Sequence, residues 1–216
     1  MNSKRNISAP TTIRLSQLAT IFQGISPSRN GKISSSEKTS PVINIKNIIK
    51  GQINTKDIDT IIIDKRKYID RYTIHPGDVI ITCRGTMLKS AVVPENLDGY
   101  LISSNLIAIR LDSTLDPALL CVFLQSRICH KLLLSSARSS TMQIALTVSD
   151  IEKIELPIIP LDIQKNLSGL IKATEQYYRH LIESANLRRD ISHQIVLKYF
   201  MQSNYTSIHS GEVPDE

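Results

Sequence analysis

The chain has 216 residues, 41% of them hydrophobic and 21% charged, which is enough apolar material for a buried core and argues against disorder over most of its length. Lysine and arginine outnumber aspartate and glutamate by 26 to 20, so the formal charge is +6 and the pI about 9.2, a bias toward an anionic partner. Cys83, Cys121 and Cys129 are an odd set without paired spacing, expected to be reduced core thiols of a cytoplasmic protein. No stretch approaches the roughly 18 apolar residues of a membrane span, and the expectation is a soluble, non-exported protein.

Residues 1–12 are polar and expected to be disordered. In RLSQLATIFQG, Leu15, Leu18, Ala19 and Phe22 lie at helical spacing before Gly24, which predicts a short amphipathic helix. The run SPSRNGKISSSEKTSP (26–41) is loop chemistry with basic groups in it. Six short β-branched runs follow between turn formers: 42–45, 60–64, 78–83, 89–94, 100–103 and 105–111. They predict a twisted, largely antiparallel or mixed sheet.

Asp116 and Pro117 then open a mostly buried helix expected to reach Leu134, with Asp116 as cap and Pro117 in the first turn. SSARSSTMQ (135–143) reads as a second polar loop, and LTVSDIEKIELP returns to sheet with a one-turn helix at 149–152. Beyond Pro160, residues 161–200 contain no proline and only Gly169, which predicts a helix of about 38 residues, roughly 57 Å long. Ile163, Leu167, Leu170, Thr174, Tyr177 and Leu181 follow the steps of a coiled-coil seam, which loosens afterwards toward Ile191 and Ile195. The fold class is therefore α+β: a compact, mixed, β-rich domain over 13–160, then one long C-terminal helix forming a coiled coil over 161–200, and a polar tail at 201–216.

LPIIPLDIQKNL (156–167) ends a strand, passes two prolines and enters the long helix, with Gln164 four residues after the second proline. KYIDRYTIHPGDVIITCRGTMLKSAVV (67–93) makes one turn at Pro76, Gly77 and Asp78 and another at Arg84, Gly85 and Thr86. These segments, together with LSQLATIFQG (15–24), SSNLIAIRL (103–111) and ISHQIVLKYF (191–200), resemble the Type I restriction–modification specificity subunits in order and character, over roughly residues 13–200. The resemblance implies a target-recognition domain gripping half of a bipartite DNA site, with a spacer helix setting the distance to the other half. The family usually carries two of each per chain, whereas this chain reads as a half-length form. A homodimer with paired helices and a palindromic, interrupted target is the simplest expectation, and pairing with another half-length partner the alternative. Double-stranded DNA, a DNA-methyltransferase subunit and possibly a restriction subunit are the implied partners.

Base readout needs paired donors and acceptors on exposed segments. Three clusters qualify: Arg29, Asn30 and Lys32; Arg84, Thr86 and Lys89; and Arg138, Ser139, Ser140, Thr141 and Gln143. Lys65, Arg66, Lys67 and Arg71, beside Tyr68 and Tyr72, form a denser run suited either to a phosphate backbone or to a solvated strand edge.

No catalytic constellation stands out. The sequence has neither an Asn–Pro–Pro–aromatic run nor a phosphate-cradling glycine loop with a lysine. S-adenosylmethionine, ATP and magnesium are therefore expected on partner subunits, with no cofactor or metal in this chain. Asp150, Glu152 and Lys153 crowd one helix start, Cys121, Cys129 and His130 lack a partner pair for zinc, and His75 lacks a placed nucleophile. The alternatives to a non-catalytic DNA-reading subunit are a dimeric scaffold or decoy that binds methyltransferase without reading DNA, and a nuclease.

Overall fold

Strands with apolar side chains on both faces have to be covered on both faces, and VIIT and LIAIRL obey that rule. In the computed structural model, which describes residues 12–26, 38–63, 69–136 and 144–209, they form the two inner strands of a four-stranded sheet. In chain order the strands are β1 (Thr12–Arg14), β2 (Ala19–Gln23), β3 (Lys38–Ile43), β4 (Ile48–Ile49), β5 (Gln52–Ile53) and β6 (Asp59–Ile63). β7 (Val79–Thr82), β8 (Arg84–Gly85), β9 (Ser90–Val92), β10 (Leu101–Ile102) and β11 (Leu106–Leu111) follow. Then come α1 (Pro117–Gln125), α2 (Arg127–Ser136), β12 (Ile144–Ala145), α3 (Val148–Glu152), β13 (Glu155–Pro157) and α4 (Leu161–His209). The chain divides into two compact units, Met1–Ser168 and Gly169–Glu216.

The main sheet runs β2-β11-β7-β9, antiparallel throughout. Val79, Ile81, Ile107 and Ile109 pack on one side with Leu120 and Leu124 of α1, Leu133 of α2 and Ile151 of α3. Ile80, Leu106 and Ala108 point the other way, into a core shared with Ile43, Ile48, Ile74, Leu97 and Ile102. Two-residue alternation along a strand thus feeds two cores. A second sheet, β10-β3-β6, contains a parallel pair, β10 with β3, so the architecture is mixed as expected. Pro41 fits inside β3 because β10 pairs only with Val42 and Ile43, leaving the strand without a ladder on that side at the proline.

Several expectations are corrected. The helix expected over 15–24 is a single 3-10 turn at Leu15–Gln17 followed by β2, paired with β11. Ala19 and Ile21 pack on one core and Phe22 on the other, which suits period-two alternation, and tertiary pairing overrides the helical spacing. The polar run 26–41 gives way to strand at Lys38, and Thr12 already belongs to β1. The single helix expected up to Leu134 is broken at Ser126, whose backbone is extended and whose hydroxyl accepts from the Cys129 N–H at 3.1 Å. Asp116 does cap α1, accepting from the Ala118 N–H at 2.8 Å, with Pro117 in the first turn.

α4 continues through His209 instead of stopping at 200, so its 49 residues extend for about 74 Å. No glycine or proline interrupts the sequence between Gly169 and Gly211, so nothing local stops the helix at 200. The helix begins under tight control. Gln164, buried, accepts from the Asp116 N–H at 2.9 Å and donates to the Thr114 and Ile159 carbonyls at 2.9 and 2.8 Å.

Asp78 holds the main sheet to the turn that precedes it. Its buried carboxylate takes Arg110 in a two-point grip at 3.0 and 2.7 Å and accepts the His75 N–H at 2.9 Å, while Arg110 also donates to the Thr73 carbonyl at 2.8 Å. Removing the carboxylate would strand these donors, though the half-exposed Arg110 can regain water on one side. Asp78→Ala should therefore lower stability by about 3 kcal/mol in urea unfolding. A loss below about 1 kcal/mol would show that the pair is not needed to hold the turn.

Candidate nucleic-acid interface

Backbone groups at residues 103–105, between β10 and β11, bind three neighbouring segments. The Ser103 N–H donates to the Ile43 carbonyl at 2.9 Å, the Ser104 N–H donates to that of Ile25 at 2.8 Å, and the Asn105 carbonyl accepts from Cys83 at 2.9 Å. Cys83 in turn accepts from the Leu146 N–H at 2.8 Å, and β8 pairs with β12, Arg84 opposite Ala145 and Gly85 opposite Ile144. Ile25 leads toward 27–37, Gly85 opens the turn to Ser90, and Ile144 follows 137–143. The feet of the three polar segments singled out in the sequence therefore adjoin through a chain of backbone hydrogen bonds.

Side chains reinforce this platform. Gln23 donates its amide to the Ser104 carbonyl at 2.6 Å and approaches the Cys83 sulfur at 3.7 Å. Burial pushes the Cys83 thiol up from its ordinary range, with the Arg84 charge opposing, and Cys129, buried in the main core, is pushed up to about 11. Both therefore remain protonated at neutral pH. Gly24, read in the sequence as a helix stop, instead permits a close approach: a Cβ there would lie 2.2 Å from the Ile102 carbonyl oxygen and 2.3 Å from that of Ser103.

Of the predicted contact residues, Arg84 and Thr86 are exposed and Lys89 is half-buried. Arg84 has no ion-pair partner among the described residues. Arg29, Asn30, Lys32, Lys65, Arg66, Lys67, Arg138, Ser139, Ser140, Thr141 and Gln143 lie outside the described residues. The basic segment 64–68 has its root away from the 103–105 platform. Ile63 pairs with Lys38, at the end of β3 away from Ile43, a separation of about 16 Å along the strand. The far foot of 27–37 is thus beside the foot of 64–68. Arg71 stacks its guanidinium 4.7 Å from the Tyr72 ring centre.

Sequence reasoning missed Lys46, which meets Asp59 at 2.6 Å while Asn44 donates to the same carboxylate at 2.7 Å. The hydrogen bond from Lys46, then that from Asn44, holds the Asp59 carboxyl below its usual range. Only a long-range strand register could have revealed that partnership. Asp150 has a structural use: its carboxylate accepts the Thr147 N–H and hydroxyl at 2.8 and 2.7 Å, capping α3. His75 pairs with Asp98 at 2.7 Å, and both are exposed.

On α4 the predicted seam residues Ile163, Leu167, Leu170, Thr174, Tyr177, Leu181, Ile191 and Ile195 are all exposed, as is every residue from 172 to 201. Leu187, Val196, Leu197, Tyr199 and Phe200 add to the apolar surface near the far end.

Comparison with known proteins agrees with the resemblance read from the sequence. A family model described as the Type I restriction modification DNA specificity domain matches residues 10–183. No curated protein matches. A chain from a structural study of complex assembly and conformational transition of the type I R-M system superposes with a TM-score of 0.60 at 23% identity, covering 95% of this chain and 51% of that one. The HsdS subunit from Thermoanaerobacter tengcongensis superposes with a TM-score of 0.55 at 18% identity, covering 84% of this chain and 42% of that one. Such identities speak to the fold, and the chain spans about half the length of either structure.

The platform depends on Gly24 having no side chain. Since the obstructing atoms are backbone, Gly24→Ala should cost about 3 kcal/mol or more on thermal unfolding. An unchanged melting temperature would mean that β2 and the 103–105 segment are not held in this contact.

Proposed function

This chain belongs to the family of Type I restriction modification DNA specificity domains, and from that premise we propose that it reads a DNA sequence and directs methyltransferase and restriction subunits to it. The observation that carries the reading is the joining of three polar segments, each rich in groups suited to base edges or phosphates, through the backbone of residues 103–105. Such a platform offers Arg84, which has no ion-pair partner among the described residues, and the chain's excess of six positive charges favours a polyanion. Methyl transfer and ATP-driven work belong to partner subunits in this reading, with S-adenosylmethionine, ATP and magnesium bound there. The chain itself is non-catalytic and works in the cytoplasm.

The exposed apolar residues of α4 need a cover, and a second copy of the same helix supplies one. Antiparallel pairing along Ile163, Leu167, Leu170, Thr174, Tyr177 and Leu181, continued toward Ile191 and Ile195, would present two recognition bodies related by a two-fold axis. The target is then palindromic and interrupted, with the helix fixing the gap. A scaffold or decoy would bind methyltransferase equally well and differ only in showing no preference among DNA sequences.

Three experiments test these statements. Mapping methylated bases in a genome with and without the gene should reveal one interrupted motif that depends on it. Exchanging 26–41 and 135–143 for a relative's segments should change that motif; an unaltered motif would remove those segments from base reading. Replacing Leu170 and Leu181 with glutamine should halve the particle mass seen by light scattering, and an unchanged mass would count against a seam there.

A further inference from the structure

The turn between β8 and β9 displays an apolar side chain on a rigid mount. Met87 is 67% exposed, while the next residue, Leu88, is 7% exposed and packs into the main core. Thr82 braces the turn from inside: its hydroxyl donates to the Met87 carbonyl at 3.1 Å and accepts the Lys89 N–H at 2.9 Å, and its own N–H donates to the Lys89 carbonyl at 2.9 Å. Single exposed apolar residues are ordinary on protein surfaces. What distinguishes this one is its fixed backbone, the cations Arg84 and Lys89 on either side in sequence, and its place beside the foot of 137–143.

Resting on the DNA-reading function above, we propose that Met87 is a specificity-determining residue that packs against the 5-methyl group of a thymine in the major groove. Flanking positive charge selects a polyanion as the occupant. A thioether has no donor and is only a weak acceptor, so it cannot read the polar pattern of a base edge. Base edges carry one apolar group, the thymine methyl, and it lies in the major groove; the minor groove offers none. Methionine's flexible, polarisable chain can settle on a methyl without demanding a single rotamer.

The test uses the full chain assembled with the methyltransferase subunit that it is proposed to direct, and duplexes carrying its mapped target. Each thymine of one half-site is replaced in turn by deoxyuridine, which removes only the methyl. At one position the unmodified protein should bind about fourfold more weakly, the factor equivalent to ~0.8 kcal/mol for one buried methyl group. Met87→Ala should bind the ordinary duplex with a similar loss and be indifferent to deoxyuridine at that position, whereas Met87→Leu should keep the response. If no thymine shows this dependence on residue 87, or the half-site contains none, the proposal fails while sequence-specific binding stands. A rise in 2-aminopurine fluorescence on binding that disappears in Met87→Ala would also overturn it, in favour of a wedge between base steps. An assembly without preference among DNA sequences would instead overturn the reading on which the proposal rests.

Discussion

Residues 103–105 are where the body of this protein is knotted together. Their N–H and carbonyl groups fix the end of β3, the exit of β2 and the start of β8, and through Cys83 they fix the return from 137–143. All of these bonds are made by backbone groups, and their net worth of about 1 kcal/mol each does not depend on which side chains are attached. The segments rooted there can therefore change their sequence without disturbing the platform. The proposed reading of DNA calls for that separation between what holds and what varies.

Behind the platform, the sheet is held where its strands leave the opposite end. Asp78 and Arg110 join the turn before β7 to β11, and the Arg110 guanidinium also lies 5.4 Å from the Phe22 ring centre, so three strands share one charged clasp. The carboxylate is buried and both its oxygens are hydrogen-bonded, the condition under which an ion pair away from water holds geometry without leaving an unpaired charge. Gln164 makes a similar junction with a neutral group, taking the Asp116 N–H and the Thr114 carbonyl before α1 together with the Ile159 carbonyl before α4.

Local signals carried much of the fold. β-branched runs between turn formers located the later strands, Asp116 and Pro117 located the start of α1, and the proline-free stretch after Pro160 located α4. A helical spacing and a strand alternation coexist in RLSQLATIFQG, and only the neighbouring β11 decides between them. Nothing local says that Ser126 interrupts an apolar helix instead of riding on it. The site was legible as a set of polar segments but not as a set of neighbours. Which strand end sits beside which is set by pairings as distant in sequence as Ile25 with Ser103. Lys46 went unread for the same reason, and Gln164 was noticed as a feature of the resembling family without its three partners being visible.

The unbroken course of α4 constrains how such a chain can change length. Each inserted residue lengthens a helix by about 1.5 Å but also turns everything beyond it by about 100°. One extra residue after Leu170 would therefore swing Tyr177, Leu181 and the apolar groups beyond them a quarter of the way around the cylinder, splitting one stripe into two. Insertions of about seven or eleven residues, by contrast, return the stripe nearly to its former side. The span of this helix should accordingly be adjustable only in coarse steps, like the teeth of a ratchet.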